Sequence, residues 1–309
     1  MAFVSVVIPL FNKANYIQRA VNSVLRQTHQ QFEIIIINDG STDNSVSRVS
    51  EINEPRIRVI NQKNKGVSAA RNRGAKEASS DLIAFLDADD EWTPNFLEEM
   101  LSLASDFENC GLYGSSYYKE FEDGSREAKN SVLFRLDYRG IIPNYFEVHI
   151  IRTPIHSSSV MARKNVLLAI GGFPEDMILN EDFDTWIRFG IKSNIAIINS
   201  PLSIYHFVSK KKEYLEKSKG ILVPVFLLKL RLYITTGLVP TNLINSAYDC
   251  YAGSAIPVIR TLLHEGKFRL MAHILVVGLR SGRYRGRLLR VGFKETVRWI
   301  ISLFMNHQE

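Results

Sequence analysis

The sequence predicts an α/β fold, a mostly parallel sheet flanked by helices and followed by an all-α C-terminal region. Three observations carry this. Short runs rich in Val and Ile alternate with segments of helical spacing over the first hundred residues. The run 34–37 is apolar without alternation, as a strand covered on both faces requires. Beyond residue 213 only helical patterning remains.

The first strand is read over 3–10. Helical spacing over 15–27 places Tyr16, Ile17, Ala20, Val21, Val24 and Leu25 on one face. A strand over 32–38 ends at the turn formers Asp39-Gly-Ser-Thr-Asp43, with Asp43 placed to cap the next helix. Strands over 57–61 and 82–86 bracket an Ala-rich helix over 66–78. Thr93 and Pro94 then open another helix as N-cap and first helical residue. A turn at Glu122-Asp-Gly-Ser125 joins 112–121 to 126–134 as a hairpin. A strand over 157–162, helices over 164–169 and 183–192, and short strands over 195–198 and 202–206 follow. The charged stretch 210–219 reads as a linker or helix start, and helices are expected over 213–236, 243–264, 267–280 and 284–305. Residues 1–209 are thus expected to form the α/β domain and 210–309 a helical basic region.

Composition narrows the function classes. With 46% hydrophobic and 23% charged residues the chain can bury a large core, which excludes a wholly disordered protein. Two cysteines, Cys110 and Cys250, exclude a disulfide framework and a cysteine-rich zinc module, and they fit a reducing compartment. The opening residues alternate like a strand and lack a basic flank, so no signal peptide is expected. The most apolar stretch, 221–239, is interrupted by Pro224, Lys229 and Arg231, which speaks against a spanning helix. Charge is uneven: residues 1–206 carry 21 Lys and Arg against 26 Asp and Glu, and 207–309 carry 17 against 6. The basic tail suits an anionic partner, whether nucleic acid, lipid head groups of a membrane surface or a phosphate-bearing substrate, or plain solvation, and its helical pattern also fits a homodimer contact or a lid. The acidic body lacks a basic aromatic sheet face, so no nucleic acid is expected as its partner.

The chemistry-bearing residues fall at strand ends, where an open parallel sheet binds ligands. These ends carry Phe11-Asn-Lys13, Asp39-Gly-Ser41 and Asp87-Ala-Asp89. Residues two apart in an extended segment point the same way, so Asp87 and Asp89 can share Mg²⁺ or Mn²⁺ bridged to a diphosphate. A carboxylate preference for the next helix's positive end would explain Asp90 and Glu91, but not Asp87. Asp39 is placed either for an Asx-turn or to accept the imide N–H of a uracil-like base with Phe11 stacked on the ring. Arg71 is either a solvated helix charge or, behind the small residues Ser68, Ala69 and Ala70, a group aimed at base or phosphates.

In order, Val4-Ser-Val-Val-Ile-Pro-Leu-Phe-Asn12, Asn38-Asp-Gly-Ser-Thr-Asp43, Gly66-Val-Ser-Ala-Ala-Arg-Asn-Arg-Gly74, Phe85-Leu-Asp-Ala-Asp-Asp90 and Glu181-Asp182 resemble the motifs of family 2 glycosyltransferases. The resemblance spans about residues 3–206. It implies the GT-A (Rossmann-like) fold and inverting transfer of a sugar from a nucleotide donor. By position, Pro9, Phe11, Asp39 and Arg71 would cradle the base, often uracil in this family. Asp87 would meet the ribose or metal, and Asp89 the metal.

Inverting transfer also needs a carboxylate to take the acceptor's proton. Asp182 matches the family's base and Glu181 an acceptor-supporting group; local sequence alone would make Asp182 a helix N-cap. Gly171-Gly172-Phe173 resembles the loop beneath the donor sugar, and His206 a third metal or diphosphate contact. Glycan or lipid-linked acceptors, surface polysaccharide synthesis and attachment to the cytoplasmic face of the membrane are likewise implied. The competing enzyme class, a nucleotidylyltransferase, needs a Gly-rich loop after the first strand that Pro9-Leu-Phe-Asn-Lys13 does not provide. The other alternative is an inactive nucleotide-sugar-binding scaffold or sensor.

Overall fold

The computed structural model describes residues 3–152, 154–207 and 223–291. The chain divides into two compact units, one of Met1–Pro143 with Arg152–Lys217, the other of Asn144–Ile151 with Ser218–Glu309. This division differs from the expected 1–209 and 210–309, because an internal helix belongs with the later segment. Asn144 Nδ2 donates to Ser246 Oγ at 2.8 Å, and the His149 ring packs 5.3 Å from that of Phe226. The stretch 210–219 lies outside the described residues, as do parts of the helices expected over 213–236 and 284–305.

The first unit is a ten-stranded sheet in the order β3-β2-β1-β4-β9-β6-β10-β5, with β7 on β6 and β8 on β10. Its parallel part comprises β1 (Val4–Leu10), β2 (Phe32–Asn38), β3 (Ile57–Asn61) and β4 (Leu82–Phe85). Between these strands run α1 (Ile17–Leu25), α2 (Ser45–Ser50) and α3 (Val67–Glu77). Leu10 pairs with Asn38 and Asn38 with Asn61, so β1, β2 and β3 stop level with one another. Three loops therefore emerge at one edge.

Gly74 sets how closely α3 lies on the sheet. A Cβ there would come 2.3 Å from Val7 Cγ1, so no larger residue fits without displacing the helix. Asp43 joins two loops at the level edge: it accepts from Ser45 N at 2.9 Å, at the start of α2, and from Ala14 N at 3.1 Å.

The remainder of the sheet is mixed. Strand β9 (Val160–Arg163) runs antiparallel between β4 and β6 (Cys110–Glu120). The sequence predicts a strand from 157. Instead Ser157–Ser159 coil into a 3₁₀ turn, capped by His156 Nδ1 accepting from Ser158 N and by Ser159 Oγ accepting from His156 N. The hairpin forms as expected, β6 returning as β7 (Arg126–Lys129). The two short strands expected near 195–206 are one strand, β10 (Asn194–His206), whose register with β6 slips on both sides of Pro201. Proline offers no ladder N–H, and the bulge absorbs that loss.

Strands β5 (Glu91–Trp92) and β8 (Arg139–Ile141) pair antiparallel with β10. Helix α4 (Phe96–Asp106) starts later than Thr93-Pro94 predicts, because Thr93 is held to β10: its N–H and its hydroxyl both donate to Leu202 O, at 2.9 and 3.0 Å.

In the second unit, α5 (Tyr145–Arg152) accompanies three further helices. With α6 (Lys164–Ala169) and α7 (Glu181–Lys192) belonging to the first unit, these are α8 (Val225–Thr235), α9 (Ile244–His264) and α10 (Phe268–Gly278). Among the described residues no helix is long and apolar enough to cross a membrane.

Candidate active site

The level strand ends open onto a cleft of about 550 Å³, within the usual range for small-ligand sites. Its walls carry Pro9, Phe11, Asp39, Arg71, Asp87, Asp89, Glu181 and Asp182. The fold thus gathers residues separated by up to 173 positions in sequence. The Phe11 ring is 44% exposed, enough to offer a face to a ligand.

Asp39 is 3% exposed and holds the next loop. Its Oδ1 accepts from Gln62 Nε2 at 2.8 Å and Lys65 N at 2.9 Å, and its Oδ2 from Gly66 N at 2.8 Å. The turn expected of it is closed by its neighbour, with Ser41 N donating to Asn38 Oδ1 at 3.1 Å. Asp39 therefore shapes the cleft wall whether or not it also meets a base.

Arg71 is the electrostatic centre. It is 2% exposed, donates to Asp87 Oδ1 at 2.7 Å and Glu181 Oε1 at 3.1 Å, and lies 5.2 Å over the Phe173 ring. Burial by itself would lower the guanidinium pKa. The Asp87 and Glu181 carboxylates more than reverse this and hold it well above the ordinary arginine range. The solvated-charge reading of Arg71 is thereby overturned.

Asp182 is partly exposed, sits in the first turn of α7 and accepts from Phe183 N at 2.8 Å. The N-cap is Asn180, in the left-handed region at φ 61°. The helix thus begins before the expected 183, and Asp182 does not cap it. Burial pushes the Asp182 carboxyl up to about 7; the adjacent Glu181 carboxylate adds to the rise and Arg71 opposes it. A carboxyl tuned near neutrality suits proton transfer at physiological pH.

Carboxylate oxygens of Asp87, Asp89 and Asp90 lie within 4.8 Å of one another. Hard oxygen donors so grouped fit Mg²⁺ or Mn²⁺. Asp87 and Asp89 face the cleft, and Lys13 Nζ lies 2.9 Å from Asp89 Oδ2. Asp90 is fully buried, accepting from Ser158 Oγ at 2.6 Å and from His206 N at 3.3 Å. The helix-end role that local sequence gives Asp90 is therefore incorrect. Sequence reasoning left Lys13 and Ser158 without a role; Lys13 lies in the loop after β1, but nothing local marks its partner.

His206 reaches this cluster through its backbone N–H. Its Nε2 faces Glu91 Oε1 and its Nδ1 faces Glu120 Oε1, each at 2.8 Å, so both ring nitrogens meet carboxylates outside the cluster. The assignment as a metal contact is corrected to a clasp between β5, β6 and β10.

The Gly171-Gly172-Phe173 loop is placed by α3. Both glycines have positive φ, 86° and 71°, and a Cβ on Gly172 would meet Asn72 Oδ1 at 2.4 Å. Asn72 accepts from Phe173 N at 2.7 Å and donates to Phe173 O at 2.8 Å. Phe173 then packs edge-on against Phe85 and Trp186. The clamp carries the chain from Glu175 to Phe183 along the cleft wall.

Residues 5–166, just over half of the chain, match the model of glycosyl transferase family 2. The chain belongs to glycosyl transferase family 2. A relative in Rickettsia conorii, an uncharacterized glycosyltransferase, is 36% identical over 220 residues, covering 70% of this chain and 35% of its own. The chain spans about a third of the length of the curated relatives it matches first. The Escherichia coli UDP-Glc:alpha-D-GlcNAc-diphosphoundecaprenol beta-1,3-glucosyltransferase is 29% identical over 197 residues, covering 63% of this chain and 73% of its own.

Among solved structures, TarS 1–349 of S. aureus superposes with a TM-score of 0.65 at 14% identity, covering 98% of this chain and 92% of its own. TarS has also been crystallised with UDP and with UDP-GlcNAc. The mannosyltransferase PcManGT of Pyrobaculum calidifontis, in complex with GDP-Man and Mn²⁺, gives 0.58 at 15% identity, covering 96% and 86%. These likenesses establish the fold, and this family 2 chain has the GT-A architecture that its motifs imply.

Proposed function

We propose that the cleft transfers a sugar, with inversion, from a uridine-diphosphate sugar to a hydroxyl of a glycan or lipid-linked acceptor in surface polysaccharide synthesis. The observation that carries this is the gathering of Arg71, Asp87, Asp89, Glu181 and Asp182 on one cleft. Pro9 and Phe11 flank the space where a base would stack, and Lys65 adds positive charge to the wall for a diphosphate. Asp182, deprotonated, takes the proton of the acceptor hydroxyl as its oxygen bonds to the anomeric carbon. The bond from that carbon to the diphosphate oxygen breaks, and the nucleoside diphosphate leaves with the electron pair. Arg71 keeps Asp87 and Glu181 fixed across the cleft while this occurs.

Asp87 and Asp89 would hold Mn²⁺ or Mg²⁺, which when bound stabilises charge on a leaving diphosphate. A lipid-linked acceptor is supported by the Escherichia coli relative, named for a diphosphoundecaprenol substrate. A uridine donor is supported by the UDP complexes of TarS.

A thermal-shift panel of nucleotide sugars with and without Mn²⁺ tests the donor. Ligand at a hundred times its dissociation constant stabilises by about 2.7 kcal/mol, so one uridine-linked sugar is expected to raise Tm clearly above the rest in Mn²⁺. A panel in which no nucleotide sugar moves Tm would remove the proposal.

A further inference from the structure

The second unit presents a surface that the proposed transfer does not use. Over 267–291 the chain carries seven Lys and Arg residues and no Asp or Glu. Within that stretch α10 has the sequence FRLMAHILVVG, yet only Ile274 and Gly278 are buried. Arg269, His273 and Val276 recur at spacings of four and three, so they share one exposed face of the helix, and the exposed Arg280 follows just beyond its end. Val276 is 64% exposed and Leu270, about 120° round the helix from it, 40%. Leu289, 51% exposed, lies among the exposed Arg283, Arg285, Arg287 and Arg290. Some of this charge is built into the fold: Arg280 donates to Tyr248 Oη at 2.9 Å and Arg285 to Leu279 O at 2.8 Å.

We propose that this face, α10 with the arginine-rich segment after it, docks the protein on an anionic lipid surface. Charge complementarity selects that occupant. A second copy would bring seven positive charges against seven, and a nucleic acid would leave Leu270, Val276 and Leu289 without apolar contact. A bilayer interface accepts both kinds of group: aliphatic side chains enter the acyl boundary while guanidinium and ammonium groups stay among phosphates. The helix lies on the membrane and does not cross it, in keeping with the absence of a spanning helix among the described residues.

Co-sedimentation of the full chain with phosphatidylglycerol-rich vesicles, against vesicles of phosphatidylcholine alone, tests this. The parent should sediment with the anionic vesicles only. The double variant Arg269→Glu with Arg287→Glu should bind more weakly by about tenfold or more, since each basic residue near such a surface contributes roughly one kcal/mol. Val276→Asp should also weaken binding, and circular dichroism of both variants should match the parent. A parent that stays in the supernatant, or variants that sediment as it does, would overturn the proposal. So would equal capture by RNA that Val276→Asp leaves unchanged, or a dimer that Val276→Asp dissolves without any vesicle binding. The assay reads binding and not turnover, so its failure leaves the proposed transfer standing.

Discussion

Asp182→Asn is expected to bind the donor as the parent does and to lose turnover by about 10²–10⁴-fold, the usual contribution of a positioned general base. The variant keeps the shape and the Phe183 N–H contact and removes only the ability to take a proton. Because the Asp182 carboxyl lies at about 7, kcat/KM of the parent should rise with pH through that value. The rising limb should be absent from the residual activity of the variant.

Stability gives a second readout with a definite sign. The folded carboxyl keeps its proton to about pH 7, whereas in the unfolded chain it loses it near its ordinary 3.8. The stabilisation this gives is present at acid pH and is lost as pH rises towards 7. Asparagine stays neutral throughout, so Asp182→Asn should melt higher than the parent above pH 7. Turnover preserved in the variant would show that another group takes the proton.

Arg71→Met should have the largest effect on stability. The substitution retains much of the side chain's length and removes a buried cation that answers two carboxylates. Breaking such a buried pair from one side costs about 3–5 kcal/mol, because the partner charges are left uncompensated. Urea unfolding at neutral pH measures this as a fall in midpoint. The deficit should shrink towards acid pH, where protonation relieves the uncompensated carboxylates. Arg71→Lys should recover part of the loss, since an ammonium restores the charge without the two-pronged reach. An unchanged midpoint in Arg71→Met would mean that the cluster tolerates its charges without a counter-ion.

What the sequence revealed of this site follows from how local each signal is. Strand ends and glycine turns are set by neighbours in the chain, so the loops at Phe11, Asp39 and Asp87 were legible. The small residues before Arg71 pointed to a group aimed into the cleft, and Arg71 is buried there. Its two partners, 16 and 110 residues away, were not legible from spacing alone.

The same limit explains the errors. His206 looks like a strand-end ligand until β5 and β6 bring Glu91 and Glu120 to its two nitrogens. Asp90 looks like a helix-end charge until Ser158 arrives from across the sheet. Local reading also misplaced the start of α4, because Thr93 is drawn into pairing with β10, and it split β10 where Pro201 produces a bulge.

Calorimetric titration of UDP into the parent and into Asp89→Ala, each with and without Mn²⁺, tests most directly whether the strand-end aspartates and a cation together hold a diphosphate. Mn²⁺ should tighten UDP binding to the parent and leave the weak binding to Asp89→Ala unchanged. Binding to the parent that ignores Mn²⁺, or an Asp89→Ala protein that responds to it as the parent does, would contradict the account.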